Sequence, residues 1–169
     1  MGGKKIDGLS ISFLILNAEQ VTKIDTTFNF IMAIQSFEHM QDDLKALKGM
    51  NTLLNEKGYI MLTLPSHPSL FIYGIHGHRR YGMSRIKEMA SEANLSIIEF
   101  IRIGGIMNFI LHFILWTVPA ILFQIPIWKL YNRFTILKKS IIWLEKLSLK
   151  MDKTFRFLEG GYVVILSKE

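Results

Sequence analysis

Phe28-Asn29-Phe30-Ile31-Met32-Ala33-Ile34 and Tyr59-Ile60-Met61-Leu62-Thr63-Leu64 are two short apolar runs, and the residues between them decide the fold. Both runs are rich in branched and aromatic residues and are bounded by polar ones, which predicts strands. Neither alternates cleanly between apolar and polar, as expected for strands covered on both faces of a parallel sheet. Between them, Asp42 and Asp43 open a helical stretch in which Leu44, Leu47, Met50 and Leu54 recur at helical spacing. The acids at its start, with Lys45 and Lys48 further along, agree with the helix dipole. Asn55-Glu56-Lys57-Gly58 breaks the stripe, and Pro65 stops the run that follows. Strand, helix and strand in this order make a right-handed crossover unit.

The same pattern extends outward on both sides. Upstream, residues 10–16 predict another strand of the sheet, ended by Asn17-Ala18-Glu19. Downstream, residues 65–82 form a long connection rich in Pro, Gly, Ser and His, a length that in a compact domain is usually functional or disordered. Ile86, Met89, Ala90 and Ala93 mark a second amphipathic helix with Asn94 as its C′ residue. Residues 95–101 and Tyr162–Leu166 complete the strands, the latter preceded by a Gly160-Gly161 turn. The fold class is therefore α/β, a single domain over 1–169.

One segment stands apart. From Ile103 through Trp128 no residue carries a formal charge, whereas Lys129, Arg133, Lys138, Lys139, Lys146 and Lys150 follow it closely. We read 103–150 as an apolar and basic helical insert before the last strand. Gly104-Gly105, Asn108, His112, Pro119, Gln124 and Pro126 interrupt the run, and Pro119 ends or kinks a helix. A single crossing would part strands 95–101 and 162–166 across a bilayer, and two crossings need roughly twice 20 residues. Three readings stay open: a buried helical insert, a span, and a shallow helix pair facing a membrane surface through 103–131. Trp116, Trp128, Tyr131 and the flanking cations suit the last.

Composition narrows the chemistry. The 169 residues are 50% apolar, carry a formal charge of +6 and contain no cysteine; mean hydropathy is +0.27. Lack of cysteine excludes disulfides and thiolate chemistry and fits a cytoplasmic setting, peripheral to a membrane if the insert docks there. No secretory signal pattern opens the chain. Net charge allows anionic partners, but no nucleic-acid module is visible and none is expected. Ser66 and Ser69 lack a nucleophile elbow, and no phosphate-binding glycine loop follows a strand.

Two polar clusters remain. Glu38-His39 sits just past the strand at 28–34, where a carboxylate and an imidazole can serve as acid and base or orient a ligand. His67, His76, His78, Arg79, Arg80 and Tyr81 lie in the long connection. His76 and His78 could chelate a metal, yet no Asp or Glu lies between Pro65 and Lys87. Such a loop serves equally as a clamp on an anionic or polar substrate, or as a structurally tied-down connection.

Asn17-Ala18-Glu19, Phe28-Asn29-Phe30-Ile31 and Phe37-Glu38-His39-Met40 resemble, in order and spacing, the small-molecule class I S-adenosylmethionine-dependent methyltransferases, whose wording runs D-A-E, F-D-x-V and L-E-H-[IV]. Leu53-Leu54-x-x-x-Gly58-Tyr59-Ile60, Leu64-Pro65, Gly77-His78-Arg79-Arg80-Tyr81 and Phe157-Leu158-Glu159-Gly160-Gly161-Tyr162 resemble later landmarks of that family. The resemblance implies a Rossmann-like sheet with helices on both faces. It implies S-adenosylmethionine as cofactor, with Asn17 and Ala18 near the adenine and Ala33 and Ile34 near the methionine part. Glu38 and His39 would line the site floor as catalytic residues together with His78. His76, Arg79 and Tyr81 would face a small-molecule acceptor of lipid-like or glycan-like character, and no metal is implied.

The family's glycine-rich loop and ribose-binding acid should both precede residue 10, where this chain has nine residues. Asn17 and Asn29 stand where the family has Asp. The family's strand order, 3-2-1-4-5-7-6, sets two strands between residues 10–16 and 28–34. The expectation is an incomplete sheet, N-terminally truncated, with impaired activity as an isolated chain and a partner chain supplying the missing half. A non-catalytic methyltransferase-like fragment and a small membrane-associated protein are the alternatives.

Overall fold

The computed structural model describes residues 2–6, 9–69, 77–118, 135–152 and 159–168. Its elements are β1 (Gly2–Ile6), β2 (Leu9–Phe13), β3 (Phe28–Ile34), α1 (Asp43–Thr52), β4 (Leu54–Pro65), α2 (Met83–Glu92), β5 (Leu95–Ile103), α3 (Ile106–His112), α4 (Thr135–Asp152) and β6 (Gly161–Lys168). Four strands form one sheet in the order β3-β4-β6-β5. Strand β3 runs parallel to β4, with Ala33 opposite Leu62. Strand β6 runs antiparallel to both β4 and β5, with Val164 opposite Leu62 and Phe100. So β3, β4 and β5 all point the same way, and their C-terminal ends share one rim.

The crossover unit forms as the pattern predicts. Asp42 caps α1 by accepting the Lys45 N–H at 2.8 Å, which satisfies one of the helix's unbonded donors. Leu54, counted by spacing with the helical stripe, instead opens β4 and pairs with Phe28 across a register shift. Asn94 takes φ +53, the left-handed turn expected beyond α2. Leu47 and Met50 of α1 and Ile86, Met89 and Ala90 of α2 pack on Ala33, Ile60, Leu62, Leu64, Val164 and Leu166. These sheet residues alternate along their strands and form one apolar face.

Among the described residues no element covers the opposite face of the sheet. Phe30, Met32 and Ile34 of β3, Tyr59 of β4 and Ile101 and Ile103 of β5 are all 42–54% exposed. Among the described residues, β3 is also an edge strand.

The strand expected at 10–16 lies elsewhere. Leu9–Phe13 pairs antiparallel with Gly2–Ile6, in a two-stranded hairpin apart from the four-stranded sheet. A strand must pair its backbone donors with something, and a neighbour a few residues away costs little closure entropy. Phe13 and Ile15 remain exposed beside it.

The stretch 103–150, expected as a helical insert, contributes two described helices, and 119–134 lies outside the described residues. Helix α3 continues into a π-helical turn over Phe113–Thr117, and α3 packs along α4. Asp152, buried at the end of α4, accepts the N–H groups of Met107 and Asn108 at 2.9 and 3.0 Å. It thereby caps a helix whose N-cap residue, Gly105, has no side chain to do so. Gly105 leaves the space for it, since a Cβ there would stand 2.7 Å from the Asp152 carboxyl. No described helix is long and apolar enough to cross a membrane.

Candidate active site

The rim begins where β3 ends. Gln35 takes φ +45 and donates its N–H to the Thr63 hydroxyl at 2.9 Å, turning the chain away from β4. A single turn of 3-10 helix, Phe37–His39, follows. Phe37 is fully buried and anchors the turn to the core. That anchor fixes the two residues after it: Glu38 is 1% exposed, while the His39 side chain reaches solvent at 44%. Glu38 Oε1 stands 3.9 Å from His39 Nε2.

The long connection returns to this turn. The His78 N–H donates to the Glu38 carbonyl at 2.6 Å. Gly77 takes φ +76 and lies so close that a Cβ would stand 2.7 Å from Glu38 Cγ. Only glycine meets both demands, the left-handed backbone and the contact. Glu38, His39 and His78, expected together from sequence, are thus neighbours on the rim. His76 lies outside the described residues.

Arg79 and Tyr81 engage a residue that the sequence reading treated only as a helix-opening acid. Asp43 is 3% exposed. It accepts the Tyr81 hydroxyl at 3.0 Å and the Leu44 N–H at 2.8 Å. The Arg79 and Arg85 guanidinium groups stand 3.7 and 3.5 Å from its oxygens. Arg79 also donates to the carbonyls of Met40 and Gln41. Burial first, and the Asp43 carboxylate second, push the Tyr81 phenol well above its ordinary pKa, so it stays a donor. The resemblance implied that Arg79 and Tyr81 face an acceptor; here their polar atoms hold 79–81 against 40–43.

Asn17 accepts the Glu19 N–H at 2.9 Å and caps the short turn Ala18–Lys23. Glu19 in turn accepts the N–H groups of Gln41 and Asp42 at 3.0 and 3.2 Å. The Asn17-Ala18-Glu19 motif is therefore tied to the rim through its third member. Ala33 lies in the core, and Ile34 at the strand end is 54% exposed. Among the described residues no group of three or more His, Asp or Glu is placed to hold a metal.

One polar atom of the rim is unusual. Glu38 Oε2 is buried and, among the described residues, has no hydrogen-bond partner. A buried carboxylate oxygen without a donor is costly, so the position suits a ligand that brings one.

A family model described as a methyltransferase domain matches residues 6–102. Among curated proteins, none matches the sequence. Of the solved structures, the [4+2]-cyclase SpnF aligns at 14% identity and TM-score 0.54 over 92% of this chain and 55% of its own. A candidate methyltransferase from Bacillus halodurans C-125 aligns at 12% identity and TM-score 0.51 over 92% of this chain and 76% of its own. A candidate sarcosine dimethylglycine methyltransferase from Galdieria sulphuraria aligns at 13% and 0.50 over 88% and 57%. At these identities the likeness is one of fold. The chain spans 40–57% of the length of the first four solved structures it matches.

Proposed function

The chain belongs to the class I, S-adenosylmethionine-dependent methyltransferase family, and on that premise we propose that its rim forms the acceptor-facing part of a site for methyl transfer to a small molecule. The convergence of Glu38, His39 and His78 beyond the ends of parallel strands supports this reading, because open α/β sheets hold ligands there. S-adenosylmethionine supplies an activated methyl group, so the protein's main task is to align an acceptor with it. His39, half exposed beside a buried carboxylate, is the group to take a proton from an acceptor oxygen or nitrogen. Glu38 Oε2 offers a hydrogen-bond acceptor to an ammonium, amine or hydroxyl of either ligand. His78, held by its backbone to Glu38, closes the same side. Arg79 and Tyr81 act as positioning residues through Asp43.

The residues fit the cofactor in part. Ile34, Glu38 and His39, at and beyond the end of β3, would meet its reacting end. Asn17 commits its Oδ1 to its own turn and the Ala33 side chain lies in the core, so the two offer it little beyond the Asn17 amide donor. We therefore expect weak cofactor binding and slow turnover in the isolated chain. The exposed Ile110, Phe113 and Ile114 of the insert favour a lipid-like acceptor, which they would guide.

The test is transfer of a labelled methyl group from S-adenosylmethionine to a mixture of small amines, phenols and lipid-like alcohols. Label should enter the small-molecule fraction and fall at least about a hundredfold in His39→Ala, the scale of a lost general base. Label unaffected by His39→Ala would contradict the assignment. Absence of all transfer would favour the second reading, a non-catalytic module of the same fold. The edge of β3, unpaired among the described residues, and its exposed apolar face speak for that reading, since an exposed parallel edge invites a further strand from a partner chain. Slowed amide exchange over 28–34 on binding such a partner would support it.

A further inference from the structure

Helix α4 carries a face that no described element covers. Lys139, Trp143, Lys146 and Lys150 fall at i, i+4, i+7 and i+11, which is one stripe of an α-helix, and Leu147 lies beside them. Trp143 is 63% and Leu147 40% exposed, and the three lysines are exposed as well. The opposite face is buried through Ile141, Ser148 and Asp152.

Charge on this helix is sorted by side. Both acids of α4 turn toward α3. Glu145 stands 3.8 Å from His112, and Asp152 caps the α3 backbone. The outer stripe is left with lysines and no carboxylate. Basic side chains around an exposed tryptophan, with aliphatic groups beside it, are the composition of a helix lying in a membrane interface. The aliphatic groups distinguish the face from one built for a nucleic-acid backbone, which needs cations and stacking rings but gains nothing from Leu147, Leu149 or Met151, exposed on and beside the stripe.

We propose that the outer face of α4 docks the protein on an anionic lipid surface, with Trp143 at the headgroup level and Lys139, Lys146 and Lys150 over the lipid charges. The surface expected from sequence over 103–131 falls in part on 119–131, outside the described residues; the stripe at 139–150 lies further along the same stretch. Docking of this kind is independent of methyl transfer, and it would bring the rim to a membrane-borne acceptor.

Flotation of the full chain tests it, with vesicles of phosphatidylcholine alone and of phosphatidylcholine mixed with phosphatidylserine. The chain should float with the mixed vesicles, lose that binding as salt is raised, and stay behind with the neutral ones. Each Lys→Gln change at 139, 146 or 150 should weaken partitioning about fivefold, and the triple variant about a hundredfold. Trp143→Ala should weaken it independently of salt. All four positions are exposed, and unchanged circular dichroism of each variant would show that the fold is kept. Equal flotation with neutral vesicles, no flotation with either, or flotation indifferent to the triple variant would overturn the proposal. So would tighter binding to a single-stranded oligonucleotide than to the mixed vesicles.

Discussion

Two buried aspartates hold this molecule together in different ways. Asp43 gathers a phenol, two guanidinium groups and one backbone N–H from segments up to 42 residues away. Asp152 receives two backbone N–H groups at the start of a helix. The first clamp joins the two halves of the rim, so its loss reaches the site. The second joins α3 to α4, so its loss stays within the insert. A buried carboxylate met by side chains is also open to titration of its partners, whereas one met by backbone amides is not.

That contrast can be broken in graded steps. Asp43→Ala should have the largest effect, destabilising the fold by on the order of 3 kcal/mol, because it leaves the buried Tyr81 hydroxyl and the Leu44 N–H without their acceptor and removes the carboxylate shared by Arg79 and Arg85; the midpoint of urea unfolding measures it. It should also free 77–81, seen as faster amide exchange at His78 and Tyr81. Asp152→Ala should cost about 1–2 kcal/mol, the worth of a helix cap. Its exchange effect should be confined to 106–112, and acceleration in β4 or β6 would show that the insert is not a separate unit.

Tyr81→Phe should cost about 1 kcal/mol at neutral pH, one buried hydrogen bond. The Tyr81 pKa is raised on folding, so the unfolded chain loses this proton first. Stability should therefore fall as pH rises above the ordinary phenol value near 10, and Tyr81→Phe should flatten that fall. Tyr162, pushed up to about 12 by burial and then by Glu159, acts in the same direction, so a residual slope should survive in Tyr81→Phe.

The smallest effect belongs to His112. Burial lowers its pKa against the pull of Glu145. The unfolded chain then binds its proton more readily, so stability should decline as pH falls through the ordinary histidine value near 6.5. His112→Gln should reduce that decline. A chain that gained stability on acidification in this range would contradict the burial of His112 between α3 and α4.

The parallel unit was readable because apolar runs and a helical stripe are local signals, and 28–34, 43–52 and 59–64 each carry one. The rim was readable in part. Glu38 and His39 follow directly from a strand end, and Gly77-His78 had a landmark spacing. Asp43 gave no sign of its role beyond its place at a helix start, because Tyr81 and Arg85 lie some forty residues on and only the folded sheet brings them near. Nor was the pairing of 9–13 legible. A strand's side chains show that it is extended, and the identity of its neighbour depends on what else is at hand. The capping role of Asp152 was hidden for the same reason as that of Asp43.

The claim beneath all of this is that ligands meet the protein beyond the ends of β3 and β4, at the turn bearing Glu38. Nuclear magnetic resonance of the labelled chain during titration with S-adenosylhomocysteine tests it most directly. The amides of Ile34, Gln35, Glu38, His39 and His78 should shift together, while those of α4 stay in place. Shifts confined to the β1–β2 hairpin or to the insert, or none at the solubility limit of the ligand, would contradict the account.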